Sequence, residues 1–215
     1  MALLHRAQLT PSKIELVSAW APTQPWFPGS APAVLTSVAS YRFDDPDGEV
    51  GIETLLVRVE GGPLLQLPLT YRAAPLASAT ESLIGTMEHS VLGTRWVYDA
   101  TADPVYLAAV TAAAFTGGVQ ADEYFEVDGE RVARDSSARV TGSGNPGATV
   151  PSSAGTISTR HEAASTAVEA GGVRVVVARV LDAATSPEGL EQESLAGTWP
   201  EQHEPRPLVR VSVLS

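Results

Sequence analysis

Residues 81–118 read ESLIGTMEHSVLGTRWVYDATADPVYLAAVTAAAFTGG, and their patterning decides what kind of fold the chain can adopt. A short apolar run, Leu83-Ile84, leads to Glu88-His89-Ser90. Arg95-Trp96-Val97-Tyr98 then alternates polar and apolar side chains, as a half-buried strand does. Asp103-Pro104 opens a helix: the carboxylate accepts free N–H groups of the first turn, and proline at the first helical position gives up no needed donor. Ala108, Ala109, Ala112, Ala113 and Ala114 favour the helix, and Gly117-Gly118 ends it. The local prescription is a strand pair followed by one Ala-rich helix.

Toward the N-terminus, Thr10-Pro11 reads as a helix start with Thr10 as cap. Ile14, Val17 and Ala21 recur at helical spacing, as do Leu16 and Trp20, until Pro22 and Pro25 stop the pattern. Trp20, Trp26 and Phe27 carry enough apolar surface to anchor this helix to a sheet. Residues 1–7 read as an extended or irregular lead. Three strands are expected at 34–43, 50–59 and 64–72, joined by Asp44-Asp45-Pro46-Asp47-Gly48 and Gly61-Gly62-Pro63, the turn chemistry of an antiparallel meander.

Toward the C-terminus, Asp128-Gly129 is a two-residue hairpin signal between 124–127 and 130–133. Residues 134–158 are rich in Gly, Ser, Pro, Asn and Thr and read as a flexible linker or loop. Strands return at 167–170 and 173–181, facing each other across Gly171-Gly172, and again at 208–214. Residues 183–201 read as a connection with one helical turn. The expected division is therefore 1–133, an α+β domain with an antiparallel sheet packed on helices, then the linker 134–158, then a small β-rich part at 159–215.

Composition narrows the function. The 215 residues carry a net charge of −11 and 44% hydrophobic side chains, ample for a core. An acidic chain is a poor partner for nucleic acid or an anionic membrane. Cysteine is absent, so there is neither a disulfide nor a thiolate metal site. No apolar run is long enough to span a bilayer, and residues 1–11 lack a signal-peptide core, so a cytoplasmic protein is expected. Lys13 is the only lysine.

Several motifs imitate known chemistry. Gly142-Ser143-Gly144-Asn145-Pro146-Gly147 matches G-x-G-x-x-G, but Pro146 and Pro151 follow where a pyrophosphate-holding helix would have to begin. His161-Glu162 starts an H-E-x-x-H zinc motif that Ser165 leaves incomplete. Asp45, Asp47 and Gly48 fit part of a calcium loop, yet Phe43 and Thr54 occupy the positions of its first and last carboxylates. No G-x-S-x-G elbow is present. The four histidines, His5, His89, His161 and His203, show no ligand spacing. Neither a metal nor a cofactor is expected. Glu88-His89-Ser90, with Asp99 and Asp103 nearby, reads either as an acid/base cluster or as side chains bonding backbone at a bend, with Arg95 paired to an acid.

Two motifs carry a family resemblance. Leu16-x-x-x-Trp20-Ala21-Pro22-x-Gln24-Pro25-Trp26-Phe27-x-Gly29 resembles the opening of actinobacterial maltokinases. Ile84-Gly85-Thr86-x-Glu88-His89-Ser90-x-Leu92-Gly93-x-Arg95-Trp96-Val97-Tyr98-Asp99 resembles a second hallmark of the same N-terminal region. Asp103-Pro104-Val105 and Thr116-Gly117-Gly118 agree with it in order. The resemblance covers roughly the first 125 residues and implies a maltokinase N-terminal cap, an α+β domain of cystatin-like arrangement. Residues 163–181 resemble in layout the maltokinase hairpin that carries a phosphate-binding lysine, but Ala178 or Arg179 stands at that place.

Phosphoryl transfer also needs metal-holding and base carboxylates. No histidine here is followed by Asp two positions on, and a chain ending at Ser215 is expected to lack a kinase lobe. The resemblance thus implies a cap without kinase activity. The preferred expectation is a non-catalytic accessory or protein-interaction module linked to maltose, trehalose or α-glucan metabolism. Its protein partner would dock on aromatic and strand-edge surface near Trp20, Trp26, Trp96 and Tyr98. The alternative is a protein that binds a sugar or sugar phosphate in a pocket under 142–151, with polar groups from Glu88, His89 and Arg95. A third reading is an enzyme using His89 or His161 with a carboxylate.

Overall fold

The computed structural model of the chain describes residues 2–4, 7–127, 130–182 and 192–214. Its elements run β1 (Ala2–Leu4), β2 (Leu9–Thr10), α1 (Lys13–Trp20), β3 (Leu35–Phe43), β4 (Gly51–Val59), β5 (Leu64–Arg72), β6 (Leu83–His89), β7 (Gly93–Asp99) and α2 (Pro104–Thr116). There follow β8 (Glu123–Val127), β9 (Glu130–Arg134), β10 (Arg139–Gly142), β11 (Ile157–His161), β12 (Ser165–Ala170), β13 (Val173–Ala178), β14 (Gln192–Trp199) and β15 (Gln202–Val213). The result is β-rich α+β, with mainly antiparallel sheets and few helices.

The first sheet has the order β2-β6-β7-β5-β4-β3, and the second β10-β14-β15-β13-β12-β11. The expected meander β3-β4-β5 is present. The β6–β7 hairpin then lies on the far side of β5, so β7 rather than β6 pairs with it, over Leu69–Arg72 only. The first half of β5 is left with an open edge. Residues 179–181 fill it: Gln66 N donates to Arg179 O (2.9 Å) and Leu181 N to Leu64 O (2.8 Å). Pro68, which has no N–H to donate, sits in the gap between the two pairings, where a central strand tolerates it.

Gln66 reinforces this join. It is wholly buried, and its Nε2 donates to Ala178 O and Leu208 O, both at 2.9 Å, while its Oε1 accepts from Tyr41 Oη at 3.0 Å. A buried amide is costly unless its groups are bonded, and these bonds tie it to both sheets. One hydrophobic cluster accordingly takes Tyr41, Ile52 and Leu56 from the first sheet, Tyr106 and Val110 from α2, and Val175 and Val211 from the second. A second cluster lies on the opposite face of the first sheet, where Val17 of α1 and Trp26 meet Leu55, Val57 and Leu67. Coverage of both faces explains why β4 and β5 read as nearly continuous apolar runs. The expected boundaries near 133 and 159 do not separate two cores.

Most local signals are realised. Asp103 caps α2 by accepting from Val105 N (3.0 Å), Pro104 is its first residue, and Gly117 ends it at φ 67°. The cap of α1 is a correction: Thr10 pairs with Glu88 in the first sheet, and Ser12 caps instead. Its Oγ accepts from Glu15 N at 3.3 Å while Glu15 Oε2 accepts from Ser12 N at 2.7 Å, a capping box that Ser12-x-x-Glu15 spells out.

The linker reading of 134–158 also needs correction. Residues 139–142 form β10, paired with β14, and Ala138 and Val140 are buried. The glycines serve close approach: a Cβ on Gly142 or Gly144 would stand 1.9 Å from the carbonyl oxygen of Ala113 or Phe115 at the end of α2. No helix follows this segment, in keeping with the prolines. Of the connection with one helical turn expected over 183–201, residues 192–199 are instead β14, and 183–191 lie outside the described residues. The N-terminal lead contains β1, which pairs in parallel with β8. Strand β8 pairs antiparallel with β9, though Asp128-Gly129 itself also lies outside the described residues.

Candidate functional site

The structure disperses the acid/base cluster drawn from sequence. His89 ends β6 and pairs with Gly93, whereas Asp99 closes β7 six residues further on, about 20 Å along a strand. His89 Nδ1 accepts from Val91 N (3.3 Å) and Leu92 N (3.1 Å), bonding the backbone of the β6–β7 turn. Glu88 accepts from Thr94 Oγ1 at 2.7 Å. Arg95 donates to Leu92 O at 2.7 Å, a carbonyl in place of the expected acid. His161 lies on β11 with Nδ1 3.1 Å from Thr166 Oγ1, within electrostatic reach of Asp99 and Arg179.

The aromatic residues separate by depth. Trp26 is wholly buried and stands edge-on to half-buried Trp20, ring centroids 5.6 Å apart. Tyr98 is buried, its Oη accepting from Leu76 N at 2.8 Å, and Trp96 is half-buried. Trp26, in the cluster that packs α1 on the first sheet, and Tyr98 are therefore both buried, and neither presents an exposed ring to a partner.

A cleft of about 810 Å³ does open on the first sheet, between the start of α1, the β3–β4 turn, the β6–β7 hairpin and the β8–β9 ribbon. Its lining includes His89 and Arg95 but neither Glu88 nor any residue of the 142–151 loop. The charged floor was not legible in sequence. Glu53 is 5% exposed; its Oε2 accepts from Lys13 Nζ at 2.6 Å and Tyr71 Oη at 2.8 Å, and its Oε1 lies 3.3 Å from Arg42 Nη2. Burial pushes its carboxyl up, but Arg42 and Lys13 outweigh that and hold it at about 2. Burial raises Glu123, which sits 3.6 Å from Arg42 Nε, despite the opposing pull of Arg42 and Arg134. Burial and then the Glu53 charge raise the Tyr71 phenol well above its ordinary value.

Two other ion pairs, each with a buried carboxylate, lie outside the cleft lining. Asp103, wholly buried, holds Arg72 bidentately (2.7 Å for both bonds) and accepts from Thr70 Oγ1 at 2.8 Å. Asp99 holds Arg179, whose Nη2 donates at 2.6 and 2.8 Å and whose Nε donates to Thr166 Oγ1 at 2.8 Å. Arg179 Nη1 is buried without a hydrogen-bond partner, but the guanidinium lies over the Trp26 ring, 4.9 Å from its centroid, a favourable place for a desolvated cation.

The described residues thus define a β-rich α+β module with a charged cleft on one sheet. Residues 20–103, from the last residue of α1 to the cap of α2, match the maltokinase N-terminal cap domain, and over this span the chain is maltokinase N-cap-like. Both hallmark motifs fall within or at the edge of that match. No curated protein matches the chain in sequence. Among the described residues no helix is long and apolar enough to cross a membrane.

Proposed function

We propose that this chain is a maltokinase-related cap module that acts by binding, without catalysis, as a cytoplasmic accessory of maltose, trehalose or α-glucan metabolism. The observation that carries this reading is the fate of Arg179. By the resemblance of residues 163–181 to the nucleotide-covering hairpin of maltokinases, Ala178 or Arg179 stands where the phosphate-gripping lysine would be. Ala178 carries no charge, and the Arg179 side chain is wholly buried against Asp99, Thr166 and Trp26. A cation sealed in this way cannot reach a nucleotide. The cystatin-like arrangement implied by the resemblance is part of the same reading, supported by α1 lying across the antiparallel first sheet. A protein partner would meet the exposed Val91 and Leu92 of the β6–β7 turn, rather than the buried Trp26 and Tyr98. The test is ADP formation by the purified chain with ATP, magnesium and maltose, trehalose or glucose. No turnover is expected. Sugar-dependent turnover that copurifies with the chain overturns the reading.

The cleft of about 810 Å³ favours a second reading, a binding protein for a small molecule, since ligand pockets commonly measure about 300–1,000 Å³.

A further inference from the structure

We propose that the cleft binds a small anion, a phosphate ester or carboxylate, through Arg95 and Lys13, with Arg134 at its rim. This rests on the small-molecule reading and gives that ligand its chemistry.

The argument is one of charge placed at depth. The whole chain carries −11, yet its only lysine and three arginines, Arg42, Arg95 and Arg134, line this one cleft. Glu53 and Glu123 answer Lys13, Arg42 and Arg134, which makes two carboxylates against three cations. Arg95 is a fourth cation. It is half-buried, bonds one backbone carbonyl, and has no carboxylate within ion-pair distance among the described residues. Its planar fork matches a phosphate or carboxylate with two parallel bonds.

Acids do stand at the mouth, and depth decides between them and the cations. Asp45 spends its oxygens on the amides of Asp47, Glu49 and Val50 in its own turn. Asp44 and Glu49 are exposed, and Asp44 has a partner of its own. At about 4 Å a charge pair is worth about 1 kcal/mol in bulk water and about 4 kcal/mol near a protein surface of effective dielectric 20, so the half-buried cations outweigh the solvated acids. Met87 and Phe125 supply apolar wall for the body of the ligand.

The test is a thermal-shift and calorimetric titration of the whole chain with inorganic phosphate, glucose 1-phosphate and uncharged maltose at matched ionic strength. Both phosphates are expected to raise the melting temperature and maltose is not, because a ligand that binds only the native state stabilises it. Arg95→Gln should weaken phosphate binding about tenfold, the usual cost of a lost charge-assisted bond. Arg174→Gln, on the second sheet, should leave it unchanged. Should Arg95→Gln fail to fold, Arg134→Gln serves, and Lys13 offers a readout in the unmodified chain. Pyridoxal 5′-phosphate with borohydride should label this sole lysine, and inorganic phosphate should protect it. A shift with maltose alone would overturn the anion and keep a binding protein; no shift with any probe would remove both. Phosphate binding that Arg95→Gln leaves intact, or labelling of Lys13 that phosphate fails to slow, would overturn the assigned site.

Discussion

Arg179 Nη2 lies 2.6 Å from Asp99 Oδ2, and the pair joins the second sheet to the end of β7 in the first with the guanidinium wholly buried. Removing one partner leaves the other charge stranded in the interior. Asp99→Ala should therefore cost about 3–5 kcal/mol in urea unfolding, the range for a broken buried pair. Asp99→Leu with Arg179→Met removes both charges and should cost far less than the two single changes added together, since contacting residues do not contribute independently. Additive losses would show that the two side chains do not act as a pair.

That pair also marks what the sequence could and could not say. The helix α2 and the meander were legible because their signals are local: Asp103-Pro104 and Gly117 at the helix ends, turn residues between the strands. Strand β14 was not, because Gln192-Glu193-Ser194 and Gly197 look like loop. Its pairing comes from β10 and β15, and Gly197 is small so that Leu208 and Arg139 can approach. The Gly-rich 142–147 stretch invited a linker reading for the same reason, although its glycines fit against the end of α2. The cleft assembles Lys13, Arg42, Glu53 and Tyr71 from four separate elements, and no spacing in sequence announces such a group. Of the predicted residues only His89 and Arg95 lie in it.

Glu53 makes stability pH-dependent. Its folded-state carboxyl titrates at about 2, against an ordinary value of 4.5. A depressed carboxyl contributes stability that is complete above its unfolded value and is lost as pH falls through the folded one. The loss should therefore develop between about pH 4.5 and 2 and amount to roughly 3 kcal/mol. Glu123, raised by burial, works in the opposite sense and gains on acidification. Unfolding free energy measured across this window should fall less steeply in Glu53→Gln, and an unchanged slope would exclude Glu53 as its source.

Asp103 has two structural duties, and substitutions can separate them. As a helix cap alone it would be worth about 1 kcal/mol. It also holds Arg72 with two bonds and accepts from Thr70, all from a wholly buried position. Asp103→Ala should thus cost about 3–5 kcal/mol, the cost of breaking a buried ion pair rather than of losing a cap. Asp103→Asn keeps one oxygen for Val105 N and should retain the circular-dichroism signal of α2 while still losing most of the ion pair. A cost near 1 kcal/mol for the alanine variant would mean that the Arg72 contact contributes nothing.

Two glycines distinguish a steric requirement from a conformational one. Gly48 has φ 71° and open space where a Cβ would stand, so Gly48→Ala pays only for left-handed backbone, about 1–2 kcal/mol. Gly144 is different: its added Cβ would meet Phe115 O at 1.9 Å and Ala114 O at 2.7 Å, and both are backbone atoms that no rotamer change can move. Gly144 N also donates to Ala114 O at 2.9 Å, so the segment cannot retreat without giving up that bond. Gly144→Ala should cost about 3 kcal/mol or more, the upper end of overpacking losses. It should also expose amides in β10 and the last turn of α2 to hydrogen exchange, while Gly48→Ala leaves them protected. Equal costs at the two positions would mean that the 142–147 segment is free to move away from the helix, and that its glycines serve flexibility after all.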